Sequence, residues 1–274
     1  RAGVVEYFFM RLILFLLGAV CAAAQGGETL RLAATTSAEN SGLLEYLLPD
    51  FERGCGCKVR ALIAGSGKAL AFGRRGDVDV LLTHAPLAEK QFVADGFGVL
   101  RRAVMENDFV LVGPPADPAG AGEKPDIAAA LQKIIAGEGR FVSRGDESGT
   151  HQKEKSLWKI LGEKPGGARY VEAGGGMGRT LVMADELGAY TLSDRGTYIA
   201  FRDKLQNKIV LQNDPALRNP YSVTAVNPAR HPHVRGALAR RFVEWLTSPA
   251  TQRRIGEFRY RGEILFAPAA LSDG

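Results

Sequence analysis

Short apolar runs alternate along this chain with longer stretches whose apolar positions recur at helical spacing. In the first third, "TLRLAA" (29–34), "KVRALIA" (58–64) and "DVDVLLT" (77–83) predict strands. Between and after them, "NSGLLEYLLPDFERG" (40–54), "GKALAFGRR" (67–75) and "PLAEKQFVADG" (86–96) predict helices. Pro49 should bend or restart the first of these, whereas Pro86 is a favoured first-turn residue. Strands alternating with helices predict a parallel α/β sheet.

"DFVLVGPP" (108–115) is a strong strand that ends in a Pro/Gly loop, and the pattern then begins again. Helices are predicted at "PDIAAALQKIIAGEG", "ESGTHQKEKSLWKILG" and "GGGMGRTLVMADELG" and a strand at "RFVS", while "YTLSDRGTYIAFRDK" and "KIVLQ" continue this second unit. "NPYSVTAVNP" (219–228) is a strand bracketed by prolines, and one or two helices follow it. The last third can therefore return to the first. We read two α/β lobes joined by two crossover strands, with "DFVLVG" and "YSVTAVN" as the crossovers. Residues 25–109 form the first part of lobe I, 110–219 lobe II, and 220–274 the return to lobe I with the C-terminal helices.

Composition narrows the class. With 274 residues, 46% of them hydrophobic, the chain has ample material for a core. A net charge of +5 comes from 35 basic against 30 acidic residues spread along the whole length. No basic tract or aromatic-basic stripe stands out, so a nucleic-acid partner is not expected, while a mild positive balance helps draw in a small anion. "MRLILFLLGAVCAAAQ" has a positive start, an apolar core and an A-x-A end before Gln25, the layout of a secretory signal peptide. Residues 1–24 are read as that signal, with residues 1–9 upstream of a natural start at Met10, and the mature protein as periplasmic. A lipid anchor at Cys21 is disfavoured, because Gly18-Ala19-Val20 is a poor lipobox. Export leaves Cys55 and Cys57, read as a turn before a strand holding either thiols or one local bridge, without a catalytic role.

Ligands of open α/β sheets sit at the carboxyl ends of strands, where loops enter helices. That rule selects "ATTSAENSG", "AGSGKAL" and "SRGDESGTH", all rich in Ser, Thr and Gly. In the third, Arg144 offers a fork of N–H donors beside the hydroxyls of Ser148 and Thr150. A helix starting near Ser148 or Gly149 adds unpaired backbone N–H groups, so the chemistry is that of an anion site. Other chemistries fit less well. "GSGK" (65–68) lacks the remaining residues of a phosphate loop, since Leu62 and Ala69 occupy those positions. "GGGMGRT" (174–180) reads as a turn into a helix rather than a dinucleotide site. "GDESG" is no nucleophile elbow, although Ser148 and His151 leave a secreted serine hydrolase as the alternative from another class. His231 and His233 read as a loop pair rather than a metal site. No enzyme activity, metal or cofactor is assigned.

"LRLAATTSAENSGLLEYLLPDFE", "GSGKAL", "GDVDVLLTHAPLAEK", "NDFVLVGP", "FVSRGDESGTHQKEKSLW", "GMGRTLVMADELGAYTLSDRGTY" and "NPYSVTAVNP" closely resemble the tungstate-binding periplasmic proteins of ABC importers. The resemblance runs from about residue 29 to 268. It implies a type II periplasmic-binding-protein fold, one bound tungstate or molybdate, closure of two lobes around it, and delivery by a monomer to an ABC permease. The family's T-T-T-S motif falls on Ala34-Thr35-Thr36-Ser37, so alanine stands at its first position. The R-G-D-x-S-G-T segment is intact, which carries ligand contact over to Arg144, Ser148, Gly149 and Thr150. Thr35, Thr36, Ser37 and Ser66 complete the expected oxyanion-binding set. Asp146 should turn from the anion and hold Arg144 or cap the helix. A phosphate or sulfate binder is the nearest alternative, because phosphate-binding proteins carry a similar segment. They have aspartate where His84 stands, and a site for a fully deprotonated anion should present donors only.

Overall fold

The computed structural model describes residues 27–270, so the signal peptide and the Cys21 anchor lie outside the described residues. The first sheet is built on β1 (Thr29–Ala34), which pairs in parallel with β2 (Lys58–Ile63) and β3 (Val80–Thr83). β3 then pairs antiparallel with β9 (Arg218–Val226), and β9 antiparallel with β4 (Gly98–Gly113). The sheet is therefore mixed rather than wholly parallel, because the strand that returns from the second unit enters it in the opposite sense.

β4 is the strand that both units share. Residues 98–108 pair with β9, while residues 109–113 pair antiparallel with β7 (Thr191–Asp194) and β8 (Lys208–Leu211). Periodicity located only its second half. The first half carries register shifts between Val99 and Arg102 and between Ala103 and Met105, which break the two-residue alternation. The returning strand makes its crossing at its first residues, where Arg218 lies opposite Asp108 and Asn219 opposite Asn107. "YSVTAVN" lies beyond that point, within the first sheet. In the second unit, β5 (Phe141–Ser143) and β6 (Tyr170–Glu172) form a small parallel pair, and β6 is too short to leave a periodic signal.

Two main cores flank the crossing. One gathers residues from 30–105 and 221–266 together with Ile199, and the other gathers residues from 109–217. The helix α2 (Leu43–Cys55), which follows the short α1 (Thr36–Asn40), shows how the first core closes. Leu43, Leu47 and Phe51 recur every four residues and are buried. The helix runs through Pro49 without restarting, since packing of that face holds the turn that lacks one N–H. Burial of each such side chain stabilises the fold by about 1.5–3 kcal/mol. Cys55, the last residue of α2, is disulfide-bonded to Cys57, which decides between the two alternatives left open for these thiols.

The remaining helices are α3 (Ser66–Arg75), α4 (Pro86–Ala94), α5 (Ile127–Ala136), α6 (Gly149–Leu161) and α7 (Met177–Glu186). α8 (Arg195–Phe201), α9 (Gly236–Leu246) and α10 (Pro249–Glu257) follow. No helix among the described residues is long and apolar enough to cross a membrane.

Candidate functional site

The carboxyl ends of β1, β2 and β3 in the first unit and of β5, β6 and β7 in the second lead into loops or helices that together line a cavity of about 190 Å³. It is smaller than the roughly 300–1,000 Å³ that drug-sized ligands occupy. From the first unit it is lined by Thr35, Thr36, Ser37, Asn40, Gly65 and His84. From the second come Arg144, Ser148, Gly149 and Thr150, then Gly176, Met177 and Gly178. Asp194, Thr197 and Phe201 complete the wall. Both units thus contribute to one enclosure.

Helix starts dominate it. Thr35 precedes α1, Gly65 precedes α3 and Gly176 precedes α7, and none of the three makes a side-chain cap bond. Their first-turn N–H groups are left for a ligand or solvent, and each brings the positive end of a helix dipole. Ser148 caps α6, where its Oγ accepts the His151 N–H at 3.4 Å. That role uses the oxygen as an acceptor and keeps its O–H available to donate. Thr35 Oγ1 shares a hydrogen bond with Ser37 Oγ (3.2 Å), which shares another with the Tyr221 hydroxyl (2.7 Å). Burial pushes the Tyr221 phenol far up, so it remains a neutral hydroxyl.

Arg144 is oriented from behind. Its Nε donates to Asp146 Oδ2 at 2.8 Å, and Asp146 Oδ1 accepts the Ser148 N–H at 3.1 Å. Asp146 therefore holds both the arginine and the loop. The two Nη groups of Arg144 have no protein partner among the described residues. Gly149 is required by shape, because a Cβ there would lie 2.2 Å from His84 Cε1. Gly178 is required likewise, since a Cβ would lie 2.3 Å from Phe201 Cζ.

One expected residue stands apart from the others. Ser66 is buried and outside the cavity wall, with its Oγ accepting the His84 N–H at 3.3 Å. It sits at the first turn of α3 and faces the neighbouring strand end, so Gly65 takes its place at the cavity. The other expected residues, Thr35, Thr36, Ser37, Arg144, Ser148, Gly149 and Thr150, are brought together.

Gly176 to Gly178 went unassigned because glycines offer no side chain to recognise. Their signal was a Gly-rich turn entering a helix. Asp194 and Thr197 were hidden inside a strand-to-helix turn. Asp194 caps α8, accepting from Thr197 N at 2.9 Å and Thr197 Oγ1 at 2.8 Å. It is an acidic residue on a wall expected to present donors, and both its oxygens are engaged within the turn. His233 Nε2 lies 2.9 Å from the Gly76 carbonyl, outside the cavity wall, and no metal-holding group of three His, Cys, Asp or Glu exists among the described residues.

Two α/β units sharing a long strand, with a small polar cavity between them, define a two-lobed solute-binding protein. The model of the PBP superfamily domain matches residues 22–250. The tungstate-binding protein TupA of Peptoclostridium acidaminophilum is 44% identical over 276 residues, covering 95% of this chain and 96% of its own. The solved TupA of Desulfovibrio alaskensis G20 is 49% identical with a TM-score of 0.79, covering 89% of this chain and 99% of its own. The solved tungstate ABC transporter protein of Geobacter sulfurreducens is 48% identical with a TM-score of 0.77, covering 84% and 99%. The chain belongs to the TupA family of the PBP superfamily, a family of solute-binding transport proteins rather than of enzymes.

Proposed function

We propose that this protein captures tungstate, and also molybdate, outside the cytoplasm as a monomer and delivers it to an ABC permease. Lobe I (25–109 with 220–274) and lobe II (110–219) close around the anion, which is held by Thr35, Thr36, Ser37, Arg144, Ser148, Gly149 and Thr150. The observation that carries this reading is the convergence on one small cavity of uncapped helix starts and of Arg144, whose Nη groups have no protein partner among the described residues. Taking a dianion out of water is costly unless most of its oxygens find donors. Charge-assisted hydrogen bonds return about 1.5–3 kcal/mol each, so several around four oxygens offset that cost. The family relatives named for tungstate support the choice of anion.

The hydrolase alternative loses its base. The His151 Nδ1 accepts the Glu147 N–H at 3.0 Å, and Ser148 Oγ meets the His151 backbone rather than its ring. Calorimetric titration of the purified protein with tungstate, molybdate, sulfate and phosphate tests the function. Tungstate should bind far more tightly than phosphate at pH 7.5. Equal affinities would replace this reading with phosphate capture.

A further inference from the structure

The formal charges on the cavity wall are Arg144, positive, and Asp194, negative, so they cancel. Arg144 is moreover already paired with Asp146. A dianion that enters therefore meets neutral donors and helix ends with no net countercharge. One further wall residue can change its charge near neutral pH, and it is His84.

His84 is held at every point but one. Its backbone N–H donates to Ser66 Oγ, and its ring stacks on Tyr221 with centroids 4.8 Å apart. The turn that carries it is pinned by the fully buried Glu89, which accepts from Thr83 Oγ1 at 2.7 Å and from Ala85 N at 2.8 Å. Asn219 Nδ2 donates to Asn107 Oδ1 at 2.7 Å, which turns Asn219 Oδ1 towards His84 Nδ1 at 2.8 Å. An amide oxygen only accepts, so the imidazole proton sits on Nδ1. Nε2 is then the free lone pair, with no protein partner among the described residues.

We infer that His84 takes up a proton at Nε2 when a dianionic oxyanion enters the cavity, and that Asn219 is the positioning residue that reserves Nε2 for it. The proton comes from solvent and forms one new N–H bond, and no other bond changes. The inference rests on the oxyanion reading of the cavity and adds the proton to it.

The charged neighbours agree with this sense. Burial holds the empty-site imidazole below its ordinary value, with Arg144 opposing protonation and Asn219, Asp194 and Glu89 favouring it. Glu89 is already paired with Arg101. On the far side of Gly149, Lys153, Lys155, Lys159 and Arg218 face a second groove that also touches His84. Lys155, Lys159 and Arg218 are exposed and screened by salt, and Lys153 donates to the Ala216 carbonyl. A dianion close to the ring outweighs them and raises its pKa.

Above the empty-site pKa and below the bound one, binding absorbs a proton and affinity falls as pH rises. Titration with sodium tungstate at pH 7.0, in buffers of different ionisation enthalpy, should read an uptake of roughly half to one proton per anion. The dissociation constant should weaken at least about fivefold from pH 6.5 to 8.5. H84Q should bind more weakly, absorb no proton and show a flat profile. Uptake that persists in H84Q moves the proton elsewhere, Asp194 first, and overturns the inference. Tight wild-type binding without uptake also overturns it and leaves the oxyanion reading standing. Failure of the folded protein to bind tungstate would remove both. Nitrogen NMR of the ligand-free wild type should show His84 neutral with its proton on Nδ1, and doubly protonated with tungstate. A ligand-free ring protonated on Nε2 instead would overturn the role of Asn219.

Discussion

On the proposed reading, Arg144 is a single side chain made ready for an anion. Asp146 takes its Nε, which fixes the plane of the guanidinium and directs the two Nη groups elsewhere. A freely rotating arginine would have to be ordered at the moment of binding, and here that ordering is done in advance. Arg144→Ala should weaken tungstate binding at least tenfold by calorimetry, a loss of about 1.4 kcal/mol or more. Arg144→Lys should recover only part, because an ammonium cannot reproduce a fork held from behind. Unchanged affinity in the alanine variant would remove Arg144 from the site. The residue was legible in the sequence, as was its relation to Asp146, because an arginine, an aspartate and a Ser-Gly-Thr helix start within seven positions leave little freedom. Ser66, which lies outside the cavity wall, was less legible for the opposite reason. Its loop was identified correctly, but which of Gly65 and Ser66 faces the cavity depends on the phase at which α3 begins.

At the scale of the element, helix starts matter more than the residues that decorate them. α6 begins against His84 so closely that Gly149 has no room for a Cβ. Gly149→Ala should push the helix start from the ring. The expected result is a lower melting temperature, together with tungstate affinity reduced by more than the stability loss alone would produce. An alanine variant with wild-type affinity would show that this helix start tolerates displacement. α7 contributes through Gly176–Gly178, which the sequence displayed only as a flexible turn, since backbone N–H groups carry no residue signature. β4 is the other element that reading by pattern undersold. Its register shifts moved the alternation out of phase just where it enters the first sheet.

For the whole molecule, the cavity wall is divided between the two sides of the crossing strand. A ligand gripped by both sides links their positions, so binding should couple to the angle between them. Saturating tungstate should raise the melting temperature, by the equivalent of about 2.7 kcal/mol at a hundredfold excess over the dissociation constant. Solution scattering should show a smaller radius of gyration in the same samples. A raised melting temperature with an unchanged scattering profile would place the anion within one rigid half. Asn107 and Asn219 sit at the crossing itself, on the two strands that pass between the halves. The hydrogen bond that orients His84 is thus made where the halves join.

The alternation of apolar runs with amphipathic stretches determined by itself that this is an α/β protein built as two units. The small-residue loops at the strand ends pointed to an anion as the ligand. Both are local properties, set by side-chain period and by donors spaced a few residues apart. Tertiary structure alone decided the rest. The return of β9 into the first sheet makes that sheet mixed, and no local pattern records the direction in which a strand pairs. Asp194 and Gly176–Gly178 reach the cavity through the same long-range folding. The hydrogen bond to His84 comes from Asn219, 135 positions away along the chain. A hydrogen bond between residues that far apart exists only after the lobes have formed, because the strands that carry them must first be brought side by side.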